Sequence, residues 1–149
     1  MTDNKAILSV LDELTKKFFQ LFTNKDGIIP VIDTIYDLCI PGAMIIKNSG
    51  PAPEIYSLEQ FITPRKKILT DGTLVDFSEE EIAAKTEIFG NIAQRFCLYQ
   101  KSGVLSGEFF ETKGMKTIQF IYTPGGWKIS SLAWDDEREG LTINEDQLQ

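Results

Sequence analysis

The sequence predicts an α+β fold: a cone-shaped, curved antiparallel β-sheet with three helices from the first half of the chain packed on its concave face. Three observations predict it. Segments of alternating polarity run through residues 79–136, with glycines at their ends and no helix-length apolar period. Helical spacing is confined to the region before them. The alternating segments carry apolar residues on both faces, so each face needs a cover.

The helices come first. Ile7, Leu11, Leu14, Phe18 and Phe22 recur at helical spacing behind Thr2 or Asp3 as cap, which predicts a helix over residues 3–23. Asn24, Lys25, Asp26 and Gly27 end it. Pro30 suits the first turn of a short second helix that continues through Val31, Ile35 and Tyr36. Residues 38–47 contain a strand at Ala43, Met44, Ile45 and Ile46, followed by turns over 48–53. Ser57 and Gln60 form a capping box that opens a third helix ending near Asp71 and Gly72. Pro64 predicts a kink there, or a restart capped by Thr63.

Four sheet segments complete the chain, at 80–89, 91–101, 109–123 and 127–135. Gly90 separates the first two, which also read as one long strand bent at a bulge. Thr123, Pro124, Gly125 and Gly126 make a tight reversal into Trp127. Gly103, Gly107 and Gly114 read as turns and bends. The acidic tail after Gly140 has little to anchor it and is expected to fray. Ile92, Phe96 and Leu98 alternate with Ala93, Cys97 and Tyr99, and Ile118, Phe120 and Tyr122 alternate with Met115 and Ile121. One face under the helices and the other against a second subunit would bury both sets, which predicts a homodimer.

A chain of 149 residues with 42% apolar content and no linker-like stretch reads as one domain. Its formal charge of -7 repels phosphate backbones and anionic membranes, so neither nucleic acid nor membrane is an expected partner. No apolar run is long enough to span a bilayer, and the polar start lacks a signal-peptide pattern; the expectation is a soluble, cytoplasmic protein. Cys39 and Cys97 sit in apolar segments, as buried thiols do. With no histidine, Ser-His-Asp and Cys-His nucleophiles and histidine-based metal sites are excluded. No glycine-rich phosphate loop occurs, and Asp135, Asp136 and Glu137 lack the spacing of a calcium loop, so no cofactor and no metal are expected.

Several stretches resemble the nuclear transport factor 2-like superfamily, which includes SnoaL-like polyketide cyclases and ketosteroid isomerases. They are Phe18, Phe19 and Phe22; Ile35 and Tyr36; Pro41 to Ile45; Tyr56 to Phe61; Phe89 to Ala93; and Gly126 to Ile129 with Ala133 and Trp134. The resemblance implies a cone with a pocket at its wide end and pairing through the outer sheet face. It does not carry over a catalytic set. The ketosteroid isomerases use a tyrosine on the first helix, where this chain has phenylalanines.

Arg95 is the sharpest candidate site residue, because a guanidinium among apolar neighbours on a strand needs a carboxylate partner or an anionic ligand. The competing reading is an ion pair at a dimer face or sheet rim. Tyr99 and Gln119 are candidates to join it, and Trp134 to wall a pocket whose mouth holds Asp135 and Asp136. Asp37, beside Tyr36, is the candidate general base if it is buried. Glu79, Glu80 and Glu81 read as a solvated strand entry. The leading expectation is a protein that binds a small apolar or weakly acidic molecule inside the cone through Tyr36, Arg95, Tyr99, Gln119 and Trp134. The alternatives are a SnoaL-like isomerase, cyclase or hydratase with Asp37 as base, and a protein-interaction module with a filled interior.

Overall fold

The structure, a computed structural model, describes residues 3–149. Helix α1 spans Asn4–Gln20, and the Asp3 carboxylate caps it by accepting from the Ala6 amide at 2.9 Å. Thr2, the other candidate cap, lies outside the described residues. Ile7, Leu11, Phe18 and Phe19 form its buried stripe. Just past its end, the Asn24 side-chain amide donates to the carbonyls of Leu69 and Leu74 and accepts from the Phe77 amide. This one side chain ties three elements together.

A 3₁₀ turn at Ile32–Thr34 leads into the four-residue helix α2, Ile35–Leu38. Pro30 lies ahead of that turn rather than in a first helical turn, so the second helix is shorter than expected. Strand β1 is Cys39–Lys47, β2 is Glu54–Tyr56, and helix α3 is Leu58–Thr70. The capping box is present, with Ser57 and Gln60 exchanging side-chain to backbone bonds. The expected restart at Pro64 is absent, and α3 runs through it. Phe61 and Ile62 before it and Leu69 after it are buried in one core, and this packing outweighs one lost backbone bond.

Strands β3 (Leu74–Phe89), β4 (Ile92–Leu105), β5 (Glu108–Thr123) and β6 (Gly126–Asp136) form a long meander. The sheet order is β2-β1-β6-β5-β4-β3. The expectation of an antiparallel sheet holds for every pair except β1 and β6, which run parallel. Such a pair needs a long crossover, and α3 with the meander supplies it. Phe89 pairs with Ile92 across Gly90, whose φ is 56°, so this is a hairpin turn between two strands and not a bulge in one. Gly103 and Gly114 are strand residues, not turns.

Register sorts the side chains into two faces. Ala93, Arg95, Cys97 and Tyr99 on β4 point inward with Lys116, Ile118 and Phe120 on β5, where α1 and α3 cover them. Gln94, Phe96 and Leu98 point outward with Met115, Thr117 and Gln119. The curved, open sheet and its three helices match the predicted cone.

Candidate functional site: the charged interior of the cone

The inward face carries three charge clusters set into its apolar lining. Arg95 projects from mid-β4 and is 5% exposed. Its Nε and Nη2 bind the two Glu81 oxygens at 2.9 and 2.6 Å, a bidentate pair, and Nη1 donates to Asp12 at 2.7 Å and to Thr86 Oγ1 at 2.9 Å. Burial pulls the guanidinium pKa down, but the hydrogen bonds it donates to Glu81 and Asp12 outweigh it and hold the value above normal. The two carboxylates differ in freedom. The Glu81 side chain is 20% exposed, whereas Asp12, reaching over from α1, is 55% exposed and gives one oxygen to the pair. The ion pair expected at a rim or dimer face is thus internal to the chain.

Lys116 enters from the neighbouring strand. Its ammonium lies 3.0 Å from Glu79 and within 4.6–5.4 Å of the ring centres of Phe18, Phe19, Tyr99 and Trp134. Four aromatic faces around one cation form a strong cation-π arrangement. The Tyr99 hydroxyl donates to Asp136, which also pairs with Lys101 at 3.3 Å. Burial first, and that hydrogen bond second, push the phenol well above its ordinary pKa. Gly114 opposite Tyr99 makes room for the ring, since a Cβ there would lie 2.1 Å from the tyrosine oxygen and 2.6 Å from the Asp135 carbonyl.

A cleft of about 540 Å³ opens from this interior between α1 and β3, lined by Asp12, Lys16, Phe19, Glu79, Glu81 and Arg95 among others. The run Glu79 to Glu81 is therefore not a solvated strand entry throughout. Glu79 and Glu81 share the inward parity and meet Lys116 and Arg95, while Glu80 is exposed.

The candidate residues separate. Arg95, Tyr99 and Trp134 converge on the interior, Trp134 packing on Phe61. Gln119 pairs with Gln94 on the opposite face and accepts from Ser130 and Ser131 there. Tyr36 and Asp37 are exposed on α2, where Lys128 binds the Asp37 backbone carbonyl. The burial that would make Asp37 a base is missing. Lys116 and Asp12 join the site without having been candidates, and Glu81 joins it from a run read as solvated. The usable signal for Lys116 was parity: it shares a face with Ile118 and Phe120. Asp12 carried none, because its partner is 83 residues away.

The order of strands, the covered inner face and the open sheet decide the comparison with solved structures. A nuclear transport factor 2-like superfamily protein from Salmonella enterica superposes with a TM-score of 0.75 at 14% identity, over 91% of this chain and 94% of that one. The chain has the nuclear transport factor 2-like fold. A protein from Kribbella flavida gives the same TM-score, 0.75, at 14% identity over 91% and 94% of the two chains. A nuclear transport factor 2-like protein from Prochlorococcus gives 0.64 at 17% identity over 93% and 95%. Neither a family model nor a curated protein sequence matches the chain. Among the described residues no helix is long and apolar enough to cross a membrane, and no group of three or more His, Cys, Asp or Glu could hold a metal ion.

Proposed function

We propose that this nuclear transport factor 2-like chain is a binding protein that takes a small, weakly acidic molecule in the cleft between α1 and β3. The observation that carries the reading is the asymmetry of the Arg95 cluster. Glu81 holds one edge of the guanidinium in a buried fork, and Asp12, exposed and singly bonded, covers the other edge at the mouth of the cleft. A ligand carboxylate that displaces Asp12 keeps Arg95 neutralised and brings an apolar body against Phe19 and Ala84. Glu79 and Glu80 beside it disfavour ligands of higher negative charge. An enzymatic reading with Asp37 as base lacks support, because that carboxylate lies in solvent on α2.

The test is calorimetric titration of wild type and Asp12→Ala with a panel of monocarboxylic aromatic acids. Removing the competing carboxylate should strengthen binding of at least one acid about tenfold, and Arg95→Met/Glu81→Gln should abolish it. Absence of binding to both wild type and Asp12→Ala would refute the reading.

We also propose that the chain forms a homodimer through the outer sheet face. Phe89 is 82% exposed and Ile92 53% exposed, and these join Ile121 in one row. Below that row, the outward residues Gln94 and Phe96 of β4 and Gln119 and Thr117 of β5 carry no charge on a chain of net charge -7. A two-fold contact brings each patch against its own copy, which favours this uncharged strip at its centre, with Lys85 and Glu87 of β3, the latter bonded to Gln94 at 3.0 Å, at its edge. Sedimentation analysis checks this: Ile92→Asp should weaken association, and a wild type that stays monomeric at millimolar concentration would end the proposal.

A further inference from the structure

The outer face is not uniformly open. After β6 ends at Asp136, the Glu137 amide donates to the Lys113 carbonyl, and Arg138 and Leu141 close a turn with two backbone bonds of 3.1 and 2.9 Å. The chain then doubles back, and a 3₁₀ turn at Glu145–Leu148 rests against β3 and β4. Because β5 lies between β6 and β4, this segment must cross the outside of the sheet. It covers a strip that includes Phe96, Met115, Thr117 and Ala133. Leu98 points to the same side and is only 2% exposed.

The cover is loosely held. Its apolar residues Ile143 and Leu148 are half-buried, and most of its other residues are exposed. Arg138 anchors the start of the segment through Asp135 and the Asp136 carbonyl, and the Ile143 amide donates to Glu137 at 3.0 Å, but among the described residues no hydrogen bond joins 144–149 to the sheet. A gap of about 340 Å³ separates the segment from the strip, so the two surfaces do not interlock as core surfaces do. The strip is continuous with the row of exposed Phe89 and Ile92 and half-buried Ile121 across Gln94 and Gln119, with Glu87 at the β3 end of that rung. A partner on the exposed row meets the tail at its edge.

We propose that residues 141–149 occupy part of the surface that a second copy of this chain uses, so that full self-association requires the segment to leave the sheet. The inference rests on the homodimer reading above. In the monomer the tail shields Phe96, Leu98 and Met115 from water; in the dimer the second copy does so, and the acidic tail is released to solvent.

The experiment compares the full chain with a full-length Ile143→Asp/Leu148→Asp variant by sedimentation velocity over a concentration series, with near-ultraviolet circular dichroism as the check on folding. Both substituted positions lie outside the central core. The variant should dimerise at least tenfold more tightly than wild type, and hydrogen exchange at the Ile143 amide of wild type should speed up as the dimer fills. Equal or weaker dimerisation of the variant overturns the inference and leaves the dimer reading standing. If neither protein associates at millimolar concentration, the dimer reading fails and the inference with it. A variant that forms disperse aggregates without a defined dimer also overturns it.

Discussion

Lys116→Met removes the cation at the centre of the cone while keeping the length of the side chain. The Glu79 side chain is 11% exposed, so the substitution strands a carboxylate with little access to water. Breaking a buried pair by deleting one partner costs about 3–5 kcal/mol. Loss of cation-π attraction to the four rings adds roughly 1–2 kcal/mol, and the new apolar thioether in an aromatic setting returns about 1–2 kcal/mol. The expected net loss is about 4 kcal/mol, a large share of the roughly 5–15 kcal/mol that a domain commands. Glu79→Gln should cost less, about 1–2 kcal/mol, because the ammonium keeps its rings and an amide oxygen to bond. The double variant should lose less than the sum of the two single changes. Urea unfolding followed by tryptophan fluorescence reads all three, with the midpoint shift at constant slope giving the energies. If Lys116→Met proved within about 0.5 kcal/mol of wild type, the ammonium would be reaching solvent and the interior described here would be wrong.

Three further outcomes follow from the same geometry. Gly114→Ala forces a Cβ into the Tyr99 hydroxyl and the Asp135 carbonyl and should cost about 3 kcal/mol or more in urea unfolding. Asn24→Ala leaves two carbonyls and one amide without their partner and should cost about 2–3 kcal/mol, with faster hydrogen exchange at Phe77. Burial pushes the Cys39 thiol from 9.0 up to about 12 and raises Cys97 as well. Because the folded pKa lies above the unfolded one, this stability is complete below about pH 9 and is lost as pH rises from there toward 12. Unfolding at pH 8 and pH 10 should differ by about 1 kcal/mol from Cys39 alone, and Cys39→Ala should flatten that slope.

The fold was legible where local chemistry and tertiary packing agree. The α1 stripe, the Ser57 and Gln60 box and the period-two strands each state their structure within a few residues. Pro64 misleads because the core on either side of it, Phe61, Ile62 and Leu69, holds the helix through one missing bond. The parallel pairing of β1 with β6 is set by a long crossover and leaves no mark on either strand. The three-residue strand β2 exists only through its pairing with β1. Gly114 reads as a bend, and its purpose shows only when Tyr99 is placed across from it. At the site, Arg95 was visible as a charge in an apolar strand. Its partners came from a helix face and from a glutamate run that looks solvated until parity is applied. Gln119 fell on the wrong face because register decides side and sequence does not fix register.

In the proposed binding mode the Nη1 edge of Arg95 is an exchangeable anion seat while the Nε edge is fixed. Titration of ¹⁵N-labelled protein with a monocarboxylic aromatic acid, observed at the Arg95 side-chain resonances, tests it directly. The expected result is a saturable shift at Nη1, enlarged in Asp12→Ala, with the Nε resonance bonded to Glu81 nearly unmoved. Arginine signals indifferent to every acid, in wild type and Asp12→Ala alike, would contradict it.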